Sequence, residues 1–406
     1  MNKRAQFSIV TGIFFLWGFA TCMNDILVPQ LKRAFELSYF QSMLIQFAFF
    51  STYLLISIPA GKLVRRFGYP RGMISGLLLA SLGALLFLPA SMTAAFPLFL
   101  GALAVLASGI TILQVAANPY VAALGETHTS SVRLTLAQAF NSLGTTLAPW
   151  IGASLILSAA VVTKAQSLGA VRLPYFGLSA IFLILAVVIG ISKLPEINEE
   201  QTSTLAEENT NKKSVWEFPR LTMGAVAIFA YVGGEVAVGS FMVSYLSQSN
   251  FLNWNPAHAA RLLSFYWGGA MVGRFIGSYL LSKISPSRLV GIHALVICAL
   301  LWVVTRKAGM VSAVAIIGIG LFNSILFPTI FTLSLEGLGR FTAEGSGILC
   351  SAIIGGAIIP PLQGWLADHI GINASFIVPI VCYLYIVTFS WLIRKQQVSN
   401  LLSYAG

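Results

Sequence analysis

The chain has 406 residues, of which 57% are hydrophobic and only 9% charged, and its mean hydropathy is +0.84. An average soluble domain carries roughly 25% charged residues, so a water-coated globular enzyme is excluded and a lipid bilayer is the expected surrounding. The net charge of +11 does not indicate nucleic acid, because the Lys and Arg residues are scattered through short loops rather than gathered on one face.

Apolar segments of ~17–25 residues, the length that crosses a bilayer, recur along the whole chain. Twelve spans are expected, at 8–29, 43–62, 72–89, 96–124, 134–159, 173–193, 221–245, 258–282, 289–304, 312–335, 345–365 and 375–393. The first is too long for a signal peptide, holds Asp25 and lacks a small-residue cleavage pattern, and is read as a mature span. An even number of spans puts both termini on one side. Alternation through the spans leaves 17 of the 24 Lys and Arg residues on that side, which the positive-inside rule makes cytoplasmic.

The one long polar interruption, 195–219, has no apolar periodicity and reads as a cytoplasmic linker. It divides the chain into six-helix bundles at 1–194 and 220–406. The halves echo each other. Gly61-Lys62-Leu63-Val64-Arg65-Arg66-Phe67-Gly68-Tyr69-Pro70-Arg71 follows the second span, and a related segment from Gly277 through Pro286 to Arg288 closes the eighth. Gln114-x4-Pro119 in the fourth span is matched by Asn323-x4-Pro328 in the tenth. Two six-helix repeats joined by a long inner loop resemble the architecture of the major facilitator superfamily, an all-α membrane fold of twelve transmembrane helices.

Soluble-enzyme motifs are absent. There is no phosphate-binding G-x-x-x-x-G-K-[ST] loop, no H-E-x-x-H and no nucleophile elbow. Cys22, Cys298, Cys350 and Cys382 lie in apolar stretches without metal-ligand spacing. His128, His258, His293 and His369 fall at or near span ends and are given no chemistry. No enzymatic activity and no cofactor are expected. Polar groups inside spans are costly in hydrocarbon and mark sites by default.

Asp25, beside Asn24, is the first such group, read either as a cation or proton site or as an acid reaching the interface from a helix end. Gln114 and Asn118 leave one face of the fourth span at i, i+4, and Pro119 frees a carbonyl one turn earlier as a further ligand. Gln138, Asn141 and Thr145 form a polar stripe on the fifth span. Such amides serve either as interhelical hydrogen-bond glue or as ligands for sugar hydroxyls and ions. Glu235 is flanked by glycines on the seventh span, on the face of Tyr231. Tyr266, Trp267 and Phe327 are near enough to polar positions to stack on a pyranose ring, and Asn323 joins the candidates by its repeat position. Arg65, Arg66, Arg71 and Arg274 are read as gate residues, and Glu336 and Arg340 as interfacial.

Taken with Phe14-Phe15-Leu16-Trp17-Gly18-Phe19-Ala20, Asn24-Asp25-Ile26-Leu27, Gln46-Phe47-Ala48-Phe49-Phe50, Pro59-Ala60-Gly61, Ala116-Ala117-Asn118-Pro119-Tyr120 and Gln138-Ala139-Phe140-Asn141-Ser142, the chain resembles the fucose:proton symporter family of bacterial sugar transporters. The resemblance implies a secondary transporter of the bacterial inner membrane that carries a monosaccharide inward with a coupling cation. The fucose carriers use acids on the first and fourth helices. Asp25 matches the first, but Gln114 stands at the second. Gln114 with Asn118 and Glu235 looks more like the glucose/galactose branch, which includes sodium-linked members. With the intramembrane polar and aromatic positions read above, substrate contacts are expected at Asn24, Gln114, Asn118, Gln138, Asn141, Tyr231, Glu235, Trp267 and Asn323. Cation coupling falls to Asp25, Gln114, Asn118, Asn141 and Thr145, with a sodium ion held between Asp25 and Asn141 or a proton on Asp25. Sodium is favoured because it takes several oxygen ligands, which the amides supply. The expected partners are a monosaccharide and the bilayer, the protein acting as a monomer. An uncoupled sugar facilitator and a membrane-embedded enzyme acting on lipid-linked sugars remain as rival readings.

Overall fold

The computed structural model describes residues 3–36, 39–152, 164–192, 194–197, 213–248, 251–254 and 256–403; the side chains of Asn24 and Asp25 are outside the described residues. The described chain is helical throughout. Its first half contains α1 (Lys3–Ala34), α2 (Tyr39–Phe67), α3 (Tyr69–Thr93), α4 (Phe96–Ala123), α5 (Ser130–Gly152), the short α6 (Lys164–Gly169) and α7 (Arg172–Ile191). The second contains α8 (Pro219–Leu246), α9 (Pro256–Leu281), α10 (Pro286–Thr305), α11 (Met310–Asn323), α12 (Leu326–Leu335), α13 (Thr342–Ser351), α14 (Gly355–Ile370), α15 (Ile372–Ser375) and α16 (Ile377–Ser403).

Each expected span has a helical counterpart, so the all-α twelve-span plan holds. Among the described residues, ten helical stretches are long and apolar enough to cross a bilayer. The two spans outside that set, α5 and α9, carry Arg133, Gln138, Asn141 and Thr145, and His258, Arg261 and Arg274, respectively. Their polar residues lower the hydropathy that would otherwise mark them.

Two spans are interrupted where the sequence pattern reads as continuous. The tenth is broken between α11 and α12, because Pro328 has no N–H for the Ser324 carbonyl and constrains the residue before it. The eleventh passes through a 3₁₀ turn at Ala352–Ile354, just ahead of Gly355-Gly356 and the Pro360-Pro361 pair in α14.

The helices are apolar on both faces, as membrane helices are. On α7, Tyr175, Leu178, Phe182, Ala186 and Ile189 are buried, while Leu173, Phe176, Ile181, Ile184, Val187 and Ile191 are exposed. The buried side meets α3, where Tyr175 stacks on Phe87 at 4.1 Å between ring centroids and Ser179 bonds Ser81 at 2.9 Å. Small residues let backbones approach. A Cβ on Gly83 or Gly109 would strike the facing backbone of α4 or α3.

The chain forms two compact units. Unit 1 comprises 1–125, 140–206 and 339–351, and unit 2 comprises 126–139, 207–338 and 352–406. In unit 1, α13 packs against α2: Gly347 faces the Ser57 carbonyl and Gly61 faces the Ala343 backbone. In unit 2, the first turn of α5 meets α12 through a 2.6 Å bond between the hydroxyls of Ser131 and Thr332. Segments of the fifth and eleventh spans, which occupy equivalent places in the two repeats, thus join helices from the opposite half of the sequence.

Candidate functional site

Unit 1 gathers amides. Gln114 is buried on α4 and donates from Nε2 to the Tyr53 hydroxyl of α2 at 2.7 Å. That bond turns the Gln114 carbonyl away from Tyr53. Asn118 is fully buried one turn on. Asn141 on α5 donates from Nδ2 to the Phe14 carbonyl of α1 at 3.0 Å, and Gly18 leaves room for it, since a Cβ there would collide with Asn141. Thr145 donates to the Ser142 carbonyl of its own helix at 2.9 Å, keeping its oxygen lone pairs. The carbonyl freed by Pro119, that of Val115, accepts from the buried Ser346 hydroxyl of α13 at 2.8 Å. It is therefore not the open ligand expected from the sequence. Asn24 and Asp25 belong to α1, but their side chains lie outside the described residues.

Unit 2 gathers a carboxylate and tyrosines. Glu235 is half-buried on α8, and its Oε1 accepts from the Tyr231 hydroxyl at 2.8 Å. Asn323, at the end of α11, is tied on both sides: its Nδ2 donates to the Tyr266 hydroxyl at 2.8 Å, and its Oδ1 accepts from Tyr383 at 2.7 Å. Tyr266 in turn donates to the Glu235 main-chain carbonyl at 3.2 Å. Phe327 packs near Tyr231 at 6.5 Å, and Trp267 stands edge-on to Tyr266 at 5.1 Å with 44% of its surface exposed. The arrangement offers hydroxyl donors, an amide and a carboxylate within one bonded network, the groups that recognise a polyol.

Arg274 of α9 reaches the broken tenth span, a position the sequence reading did not assign to it. Its Nε donates to the Ser324 carbonyl and its Nη1 to the Gln138 carbonyl, both at 3.3 Å. Gly273 allows this, because a Cβ there would meet Leu321 and Ser324. Gln138 is buried on the part of α5 that belongs to unit 2.

Of the other arginines, Arg65 pairs with Glu344 of α13 at 2.6 Å and lies 5.6 Å from the Phe341 ring centre. Arg66 lies over Phe67, while Arg71 is exposed. Glu336 pairs with Arg220 in the first turn of α8, and Arg340 lies over Phe341. Sequence reasoning missed Tyr53, Tyr383, Ser346 and Glu344. A tyrosine inside an apolar span was the available signal for the first two. It also gave no role to His293, which is buried on α10 with Nδ1 2.9 Å from the Phe322 carbonyl.

Comparison with known proteins agrees with this architecture. The chain is 51% identical over 396 residues to a Brucella abortus protein named glucose/galactose transporter, covering 97% of this chain and 95% of that one. It is 35% identical over 418 residues to the L-fucose-proton symporter of Escherichia coli, covering 97% and 94%. The crystal structure of an E. coli fucose:proton symporter superposes with a TM-score of 0.87 at 33% identity, covering 97% of this chain and 99% of that one. These relatives are transporters, not enzymes, which removes the lipid-linked-sugar enzyme from the readings. With residues 9–353 matching its family description, the chain belongs to the Major Facilitator Superfamily and is a sugar transporter.

Proposed function

We propose that the protein imports a hexose of the glucose/galactose type together with a proton, as a monomer in the bacterial inner membrane with both termini cytoplasmic. The halves 1–194 and 220–406 are the bodies that alternate access. The observation that carries the reading is the Glu235 cluster. One carboxylate oxygen is held by Tyr231, while the other takes no hydrogen bond among the described residues and is left to accept from a sugar hydroxyl. Tyr266, Tyr383 and Asn323 hold the surrounding donors and acceptors in place. The similarity to the glucose/galactose transporter supports the sugar class, and the L-fucose-proton symporter supports the proton, carried on Asp25.

Sodium is a second reading. It is favoured by Gln114, a neutral amide that cannot release a proton but can ligate a cation, with Asn118, Asn141 and Thr145 as further oxygen ligands. The Arg65–Glu344 pair supports a gate role for Arg65, because it ties the second span to a helix of the other sequence half.

Net uptake of radiolabelled glucose and galactose into proteoliposomes under imposed ion gradients tests the proposal. Accumulation driven by a pH gradient with choline in place of sodium is expected. Accumulation only with sodium selects the second reading, and equilibration without accumulation identifies a facilitator. Asp25→Asn is expected to abolish gradient-driven uptake while leaving sugar exchange.

A further inference from the structure

We infer that His293 is a positioning residue for the sugar site, holding Asn323 in place through the main chain of the broken tenth span. The inference rests on reading the Asn323–Glu235 cluster as that site and adds to it a residue that touches no sugar. The end of a helix leaves its last carbonyls without partners inside the helix, and within a membrane such groups must be met by protein. α11 ends at Asn323 and α12 begins at Leu326, so the carbonyls before the break need donors from elsewhere.

Three consecutive carbonyls find them on three different helices. Phe322 O is met by His293 Nδ1 of α10 at 2.9 Å, Asn323 O at 3.2 Å by the Tyr231 hydroxyl of α8, whose one hydrogen it shares with Glu235 Oε1, and Ser324 O by Arg274 Nε of α9 at 3.3 Å. Tyr231 is already tied to Glu235, and Arg274 to the Gln138 carbonyl. His293 is tied to neither: its contacts among the described residues are with Phe322, by that bond and by an edge-on ring contact at 5.5 Å.

A carbonyl oxygen only accepts, so Nδ1 must carry the hydrogen. The bond thereby fixes both the ring and the carbonyl. That carbonyl belongs to the planar peptide unit that ends at the Asn323 Cα, so fixing it orients the side chain that bonds Tyr266 and Tyr383. The break frees the backbone at Asn323 to present its amide, and His293 removes the slack that the break would otherwise leave.

The test compares His293→Leu, His293→Asn and His293→Gln by sugar titration of the purified protein and by KM against kcat for exchange. Asn carries an N–H at the same number of bonds from Cβ as Nδ1, whereas Gln places it one bond further out. Loss of the donor to a buried carbonyl is expected to weaken sugar affinity about tenfold in His293→Leu, mainly through KM. His293→Asn should recover to within about twofold of the parent, and His293→Gln should not. Wild-type affinity in His293→Leu, or equal affinity in the Asn and Gln variants, overturns the inference. The second comparison stands even if the Leu variant does not fold. Asn323→Ala, run alongside, separates the two layers: unchanged affinity there sinks the sugar-site reading itself, while a loss there without one in His293→Leu sinks only the role of His293.

Discussion

The fourth and tenth spans carry the same local pattern, an amide residue followed five positions later by proline, and they fold differently. α4 runs unbroken through Pro119 to Ala123, and its one freed carbonyl is taken by the Ser346 hydroxyl. The tenth span opens into α11 and α12, with an arginine, a histidine and a tyrosine on the carbonyls at the break. The amides differ accordingly. Gln114 has one tyrosine partner, while Asn323 is gripped through both ends of its side chain. A proline sets where a carbonyl is released. The donors on neighbouring helices decide whether the helix closes over the gap or opens at it.

The comparison can be broken at the amides first. Asn323→Ala strands the Tyr383 hydroxyl, an unsatisfied buried group costing about 1–3 kcal/mol, and removes the bond received by Tyr266, at about 0.5–1.5 kcal/mol, so sugar affinity should fall about 100-fold. Gln114→Ala strands only Tyr53 and should cost about tenfold or less. Equal losses by calorimetric titration would show that the two amides do the same work. Glu235→Gln comes next, with an expected loss of about 1.5–3 kcal/mol in sugar binding, the range for hydrogen bonds to charged groups. Unchanged affinity would move Glu235 to a structural role.

The prolines themselves sharpen the contrast. Pro328→Ala returns an N–H to the Ser324 carbonyl in competition with Arg274, so amide exchange over 322–327 should slow and sugar exchange should fall severalfold. Pro119→Ala only competes with Ser346 in a helix that is already continuous, and should change stability by about 1 kcal/mol or less. Similar behaviour of the two variants would remove the distinction. Smallest in energy is Arg65→Ala. The pair with Glu344 is half exposed on the arginine side, with 45% of that side chain accessible, and such pairs contribute about 0.2–1 kcal/mol. Even so, spin-label distances between α2 and α13 should lengthen and turnover should slow. An unmoved distribution refutes the gate role.

Much of the plan was legible in the chain. Apolar length and the bias of Lys and Arg gave the spans and their expected sense, because hydrocarbon thickness and membrane charge act on segments one at a time. Glu235, Gln114, Asn118 and Asn141 stood out for the same reason: a polar group inside an apolar run is visible without its neighbours. Tyr53, Tyr383 and Ser346 did not stand out, since a hydroxyl is common in a span and its worth depends on what faces it. His293 read as a residue near a span end, and only the packing of α10 against the end of α11 revealed the carbonyl it meets.

By itself, then, the sequence determined an all-helical membrane chain with two related halves and a short set of intramembrane polar groups. Each of these follows from the cost of placing a given residue in lipid. The tertiary structure decided that the tenth span breaks at Asn323, that Arg274 turns to the break, and that the freed Val115 carbonyl is occupied by Ser346 rather than open. Hydrogen bonds between residues far apart in the chain settle such choices, and local composition carries no record of which donor will arrive.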